Sequence, residues 1–161
     1  MSKLSSFSVP ADDRYFEDYP EGSVYEFGSI RVVAEEITAF GKRYDPQPFH
    51  TDPDQAGDSV HGGLIASGWH TGSMAMRLLV DHFVSRVASI GSPGIDALRW
   101  LKPVRPGDEL SVRATVVEAR RSRSRPDRGI VTTLVEVMNQ DRDIVMSWKG
   151  AGFYLCRNKN K

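Results

Sequence analysis

The sequence predicts an α+β domain in which one antiparallel sheet wraps around a single buried helix. Three observations predict it. The apolar stretch that Gly62 and Gly63 open and that runs to about Val87 carries Ile65, Trp69, Met74, Met76, Leu78, Leu79, Phe83 and Val84 on most of its faces, the pattern of a helix enclosed by other structure. After the breaker Gly91-Ser92-Pro93-Gly94 come four strand-like segments, 95–101, 110–118, 130–138 and 144–155. Turn-forming runs separate them, Pro103-Val104-Arg105-Pro106-Gly107-Asp108 and Asn139-Gln140-Asp141-Arg142-Asp143 among these. One apolar helix followed by consecutive strands has a simple solution, a sheet folded around the helix.

The elements follow in chain order. Ser23 to Val33 mixes β-branched and aromatic residues around Gly28 and predicts a strand with a bend or bulge. Glu35 to Gly41 carries Ile37 and Phe40 three apart, a short amphipathic helix that must end by Asp45, because Pro46 excludes helical geometry from the residue before it. Pro46 and Pro48 then make a constrained turn. Gly62 and Gly63 allow a tight path into the next helix, with Ser67 as its N-cap. In Ile95 to Leu101, Leu98 and Trp100 alternate inward with Arg99 outward, so this strand suits a sheet edge that needs a cover. The chain has neither a repeat nor a linker, so residues 1–161 read as one domain with a core from about 21 to 155.

The chemistry concentrates in Tyr44-Asp45-Pro46-Gln47-Pro48-Phe49-His50. Asp45 and His50 stand five residues apart on a stiffened turn, as an acid/base pair sharing one water would require. Gly68, in the first turn of the long helix and lacking a side chain, leaves its amide open at the positive end of the helix dipole, which suits an anionic oxygen. Together these segments resemble the MaoC-like dehydratases, a family that includes the R-specific enoyl-CoA hydratases and has the hotdog fold. That family carries Asp, two residues usually ending in Asn, Pro, an aliphatic residue and His, then an Ala-His-Gly turn before the central helix. Asp45, Pro48, His50 and Gly68 fall on matching positions, whereas Gln47 replaces the usual Asn and Ser67 the usual His. The resemblance runs from about Glu21 to Leu155.

What the resemblance implies is a hydro-lyase that adds water to, or removes it from, an α,β-unsaturated acyl thioester. Asp45 and His50 would activate water at C3 and deliver a proton at C2, and the Gly68 amide would hold the thioester oxygen. Burial beside Phe49, Trp69 or Tyr44 would raise the pKa of Asp45 and suit it to act as base. Ser67, Trp69 and Phe49 are the expected substrate contacts. The basic run Arg120 to Arg128 reads as a solvated hairpin loop, in which Arg121 and Arg123 are the candidates to meet coenzyme A phosphates. The resemblance implies no cofactor and no metal, a coenzyme A or acyl-carrier-protein thioester as substrate, and a homodimer or dimer of dimers.

Other readings compete. His50, Asp52, Asp54, Asp58 and His61 form an N/O-rich cluster, which a solvated acidic loop explains equally well. Ser59 or Ser67 as a hydrolase nucleophile lacks the G-x-S-x-G elbow, since Ile65 stands where glycine is needed. His61 and His70 read as structural or supporting residues. The fold also hosts thioesterases and non-catalytic acyl-binding subunits, but a thioesterase needs no Asp-x4-His pair and a degenerate subunit would have lost one member. The 161 residues carry no net charge, and the sequence pI is about 6.9, which argues against nucleic acid or anionic membrane as partner. Cys156 is the only cysteine, so no internal disulfide forms. With no apolar leader and no spanning segment, a cytoplasmic location is expected.

Overall fold

A computed structural model describes residues 3–158. Among them the first strand, β1, spans Val24–Arg31, and helix α1 follows at Ala34–Tyr44. Two short helices, α2 (Pro48–Thr51) and α3 (Pro53–Asp58), precede the long helix α4 (Gly68–His82). The remaining strands are β2 (Gly94–Trp100), β3 (Glu109–Arg121), β4 (Arg128–Met138) and β5 (Ile144–Leu155). They form one antiparallel sheet in the order β1-β3-β4-β5-β2, with α4 packed on the side of β1 and β3.

The inward face of the sheet follows the two-residue period of a pleated strand. Leu110, Val112, Ala114 and Val116 of β3 are fully buried, as are Val131, Val135 and Val137 of β4. Each such aliphatic side chain contributes roughly 1.5–3 kcal/mol when taken from water. The sheet closes on Ala75, Leu78 and Leu79 of α4. Gly28 sits at a register shift between Phe27 and Ile30, which is the bend the strand pattern required. The C-terminal end of α4 is capped from outside its own sequence. The Arg14 guanidinium donates to the carbonyls of His82 and Phe83 at 3.1 and 2.8 Å, a cation at the negative end of the helix dipole, and lies over the Phe7 ring.

Four expectations need correction. The segment after Asp45 is helical rather than a turn, because Pro48 and Pro53 both stand at first-turn positions, where a missing N–H costs nothing. The long helix ends at His82, well before Val87. It is also not enclosed on all sides: Trp69, Met76 and Val80 form an exposed stripe at 58%, 49% and 45% of their full areas. Strand β2 does lie at the edge, but Ala97 takes a left-handed conformation and the register shifts between Asp96 and Arg99. Beyond this bulge Leu98 packs against the core, and Trp100, paired with buried Met146, faces Gly68 and Trp69 of α4 as the alternation required, although 47% of its area stays exposed. β3 runs on to Arg121 and β4 opens at Arg128, so the basic run begins and ends on strands and only residues 122–127 form the hairpin loop.

Candidate active site

Asp45 is the residue at which α1 stops. Its amide still donates to the Gly41 carbonyl at 2.9 Å, and Pro46 then diverts the chain. Pro48 restarts it as α2, whose third residue is His50. The two helices meet at Gly41, where an added Cβ would lie 2.8 Å from the His50 carbonyl oxygen. That close approach sets acid and imidazole side by side.

His50 is buried and clamped to the segment that leads into α4. Its Nδ1 lies 2.7 Å from the Ile65 carbonyl, and the Ile65 amide donates to the Phe49 carbonyl at 3.1 Å. A carbonyl only accepts, so Nδ1 carries the proton and the neutral ring presents a lone pair at Nε2. That Nε2 stands 3.3 Å from Oδ2 of Asp45.

Both oxygens of Asp45 have donors. The Gln47 carboxamide donates to Oδ1 at 2.8 Å and the Ser67 hydroxyl to Oδ2 at 2.7 Å. The hydrogen bonds from Gln47 above all, and then from Ser67, hold the carboxyl below the ordinary carboxylate range, against the opposing effect of burial. The expected rise through desolvation is therefore reversed. Tyr44 is exposed and Phe49 turns its ring toward the core and His61, so neither dries the carboxylate.

Ser67 stands at the N-cap position expected from sequence, with its carbonyl accepting from the Thr71 amide at 3.0 Å. Its hydroxyl is directed at Asp45 instead of capping the helix. The first amides of α4 have no acceptor within the helix, as at any helix start. At Gly68 the Trp100 indole lies so close that an added Cβ would fall 2.3 Å from it. Trp69 meets Trp100 edge to face, with centroids 5.2 Å apart.

These groups line a cleft of about 380 Å³, with Asp45, Gln47, His50, Gly68 and Trp69 on one side and Trp100 to Val104 on the other. Of the expected substrate contacts, Trp69 lines the cleft and Ser67 meets it only through Asp45. Phe49 packs against the core instead. Arg121 and Arg123 are remote. The cleft touches β5 at Val145, whereas the basic hairpin meets β5 at its other end, where Arg128 pairs with Leu155. Ten strand residues separate the two places, roughly 30 Å. Arg121 moreover donates to the carbonyls of Pro126 and Asn158.

Thr71, Trp100 and Lys102, which sequence reasoning did not place at the site, also line the cleft, as does His61, weighed there only as a metal-cluster or supporting residue. His61 had a usable signal: it is followed by Gly62, so the family's His-Gly step has a second match besides Ser67-Gly68. His70 faces away, stacked on Phe40 of α1 at 4.9 Å. Its Nδ1 is buried without a partner among the described residues, and burial lowers its pKa although Glu36 opposes this. Asp52 caps α3 by accepting from the amides of Asp54 and Gln55. Among the described residues no cluster of three His, Cys, Asp or Glu side chains is disposed to hold a metal.

With five antiparallel strands around α4 and an Asp/His cleft at its N-terminus, the architecture is a hotdog fold. The profile described as "MaoC like domain" matches residues 16–139, and the chain belongs to that family. The MaoC-like dehydratase of Rhodospirillum rubrum is 40% identical, with a TM-score of 0.81 over 90% of this chain and 99% of that one. The R-hydratase PhaJ1 of Pseudomonas aeruginosa superposes with a TM-score of 0.71 at 20% identity, covering 88% and 85% of the two chains. A Mycobacterium tuberculosis protein with a double hotdog fold gives 0.82 at 15% identity, covering 95% of this chain and 47% of that one. Among the described residues no helix is long and apolar enough to cross a membrane.

Proposed function

We propose that this protein is a hydro-lyase that interconverts α,β-unsaturated and 3-hydroxy acyl thioesters. The observation that carries the reading is the pairing of two acceptors: Oδ2 of Asp45 and the Nε2 lone pair of His50, 3.3 Å apart. With the imidazole in its neutral form, neither has a proton for the other. A water donating one O–H to each satisfies both and turns its own lone pair outward, toward an electrophilic carbon in the cleft. In hydration the oxygen bonds to C3, one water proton passes to the Asp45/His50 pair, and the pair returns a proton to C2. Dehydration reverses these steps, and the roles belong to the pair as a unit. The amide at Gly68 would stabilise the enolate oxygen formed between the two bond changes, helped by the α4 dipole. That the related dehydratase and R-hydratase share this fold supports the reading.

The test is a panel of trans-2-enoyl and 3-hydroxyacyl thioesters, followed by the enoyl-thioester absorbance without added metal or cofactor. Loss of the enoyl band with formation of the 3-hydroxy product is expected. Thioester cleavage without hydration would replace this reading with a thioesterase.

The active unit is proposed to be a homodimer. β2 leaves one edge of the sheet open, and Ile95, Trp100 and Leu101 on or just beyond it are exposed beside Trp69 and Met76 of α4. Five large apolar residues around one free edge suit a second copy of the same surface. Trp69 and Trp100 belong both to this face and to the cleft, so the partner would complete the site.

A further inference from the structure

We infer that Lys102 binds the phosphate of the 4′-phosphopantetheine arm that carries the acyl group. This rests on the acyl-thioester reading of the cleft and names what holds the carrier there. An acyl group with its carbonyl at Gly68 leaves the remainder of its carrier trailing out through the cleft mouth, and the first charge on that arm is a phosphate. The basic hairpin lies too far along β5 to meet it within one chain.

Among the described residues lining the cleft, Lys102 is the one lysine or arginine. Arg105, three residues on, is turned away: its guanidinium donates to the His61 carbonyl at 2.6 Å and reaches over Gly63. The backbone around Lys102 is fixed. The amides of Leu101 and Lys102 both donate to the Val145 carbonyl, and the Val104 carbonyl accepts from the Ala66 amide at 2.8 Å. A rigid base thus presents a flexible four-carbon stem at the cleft wall.

The ammonium has a resting partner, Oδ2 of Asp143 at 2.7 Å. The two side chains are 51% and 45% exposed, so solvent screens the pair and it contributes little to stability. A phosphate offers more charge and more acceptor oxygens than the carboxylate. Asp143 sits on the turn before β5, held by its own amide to the Asn139 side chain, and does not line the cleft. It therefore parks the ammonium beside the mouth, and arrival of a phosphate exchanges one anionic partner for another. Asp143 is a positioning residue, and Lys102 makes the contact.

Coenzyme A and acyl-carrier protein share this phosphate, and kinetics separates the sources. One enoyl group is presented on coenzyme A, on a carrier protein and on N-acetylcysteamine, which has no phosphate. Lys102→Ala should raise KM about five- to tenfold for the phosphate-bearing substrates with kcat held, because the contact is equal in ground and transition states. N-acetylcysteamine thioesters should show no change. Lys102→Arg should recover most of the loss, and Asp143→Asn, which frees the ammonium, should lower KM. A KM effect with one carrier alone assigns the phosphate to that carrier. Calorimetry with free coenzyme A and pantetheine gives an arm that needs no turnover: Lys102→Ala should weaken the first and leave the second. An equal effect on substrates with and without phosphate, or no effect on either KM or coenzyme A affinity, overturns the inference. Absence of turnover with every thioester would refute the hydro-lyase reading, and the calorimetry would still decide the role of Lys102.

Discussion

Ser67 donates its hydroxyl proton to Oδ2 of Asp45 at 2.7 Å, across twenty-two positions of sequence, and so ties the start of the long helix to the end of α1. The same oxygen faces Nε2 of His50. Gln47 holds the opposite oxygen, so the carboxylate is fixed in rotation as well as in charge. A carboxylate held this way stays ionised and oriented.

Replacing the pair should stop the chemistry while leaving the fold. Asp45→Asn and His50→Ala should each lower the hydration rate by about two orders of magnitude or more. Chelators should have no effect on the wild type. Steady-state rates with circular dichroism as a folding control measure both. Full activity in the two variants would remove the site assignment.

Removing the donors should move the pH profile. Ser67→Ala and Gln47→Ala each take away a hydrogen bond that keeps Asp45 ionised, so its pKa should rise toward the ordinary range. The acid limb of kcat/KM should then shift to higher pH, with a rate loss of about tenfold near neutrality. An acid limb that stays in place in both variants would separate Asp45 from the titration that governs catalysis.

His70 should make the protein acid-sensitive in a defined window. Burial lowers its pKa from the ordinary 6.5, so the folded chain binds fewer protons than the unfolded one. Its contribution is complete above about 6.5 and declines as the pH falls through the lowered folded value. In His70→Phe, which retains a ring against Phe40, the denaturant midpoints at pH 7.5 and 5.0 should lie closer together than in the wild type. An undiminished gap would assign the acid sensitivity to other groups.

Light scattering should give at least twice 17.9 kDa at micromolar concentration. Ile95→Asp and Met76→Asp place a charge within the exposed apolar face and should produce monomers with reduced activity. A fully active wild-type monomer would show that the cleft needs no second copy.

The acid, the imidazole and the helix-start glycine were legible because they lie on short, proline- and glycine-marked segments where local rules dominate. Asp45 ends a helix for a reason visible at Pro46. The role of Ser67 was not legible, since a serine before a helix is ordinarily a cap and only tertiary contact reveals its bond to Asp45. The exposed stripe of Trp69, Met76 and Val80 was hidden for a related reason. Hydropathy marks a face as apolar without saying whether its own chain or another covers it. The bulge at Ala97 carries no glycine to announce it, so the register shift in β2 was not legible. The arginine run drew attention by charge alone, while single residues such as Lys102 acquire meaning only from the cleft they border.

The contact between Trp100 and Gly68 has a consequence for how this family can diverge. The indole fills the space that any side chain at position 68 would need, so position 68 can enlarge only after the indole at 100 moves or is replaced. Relatives should therefore vary the two together, with a small residue at 100 wherever 68 is larger than glycine. Position 100 lies on the exposed edge strand and position 68 at the start of the central helix. Drift on the edge strand would in this way be recorded in the turn that opens α4, and two places that look separately adjustable would share one evolutionary history.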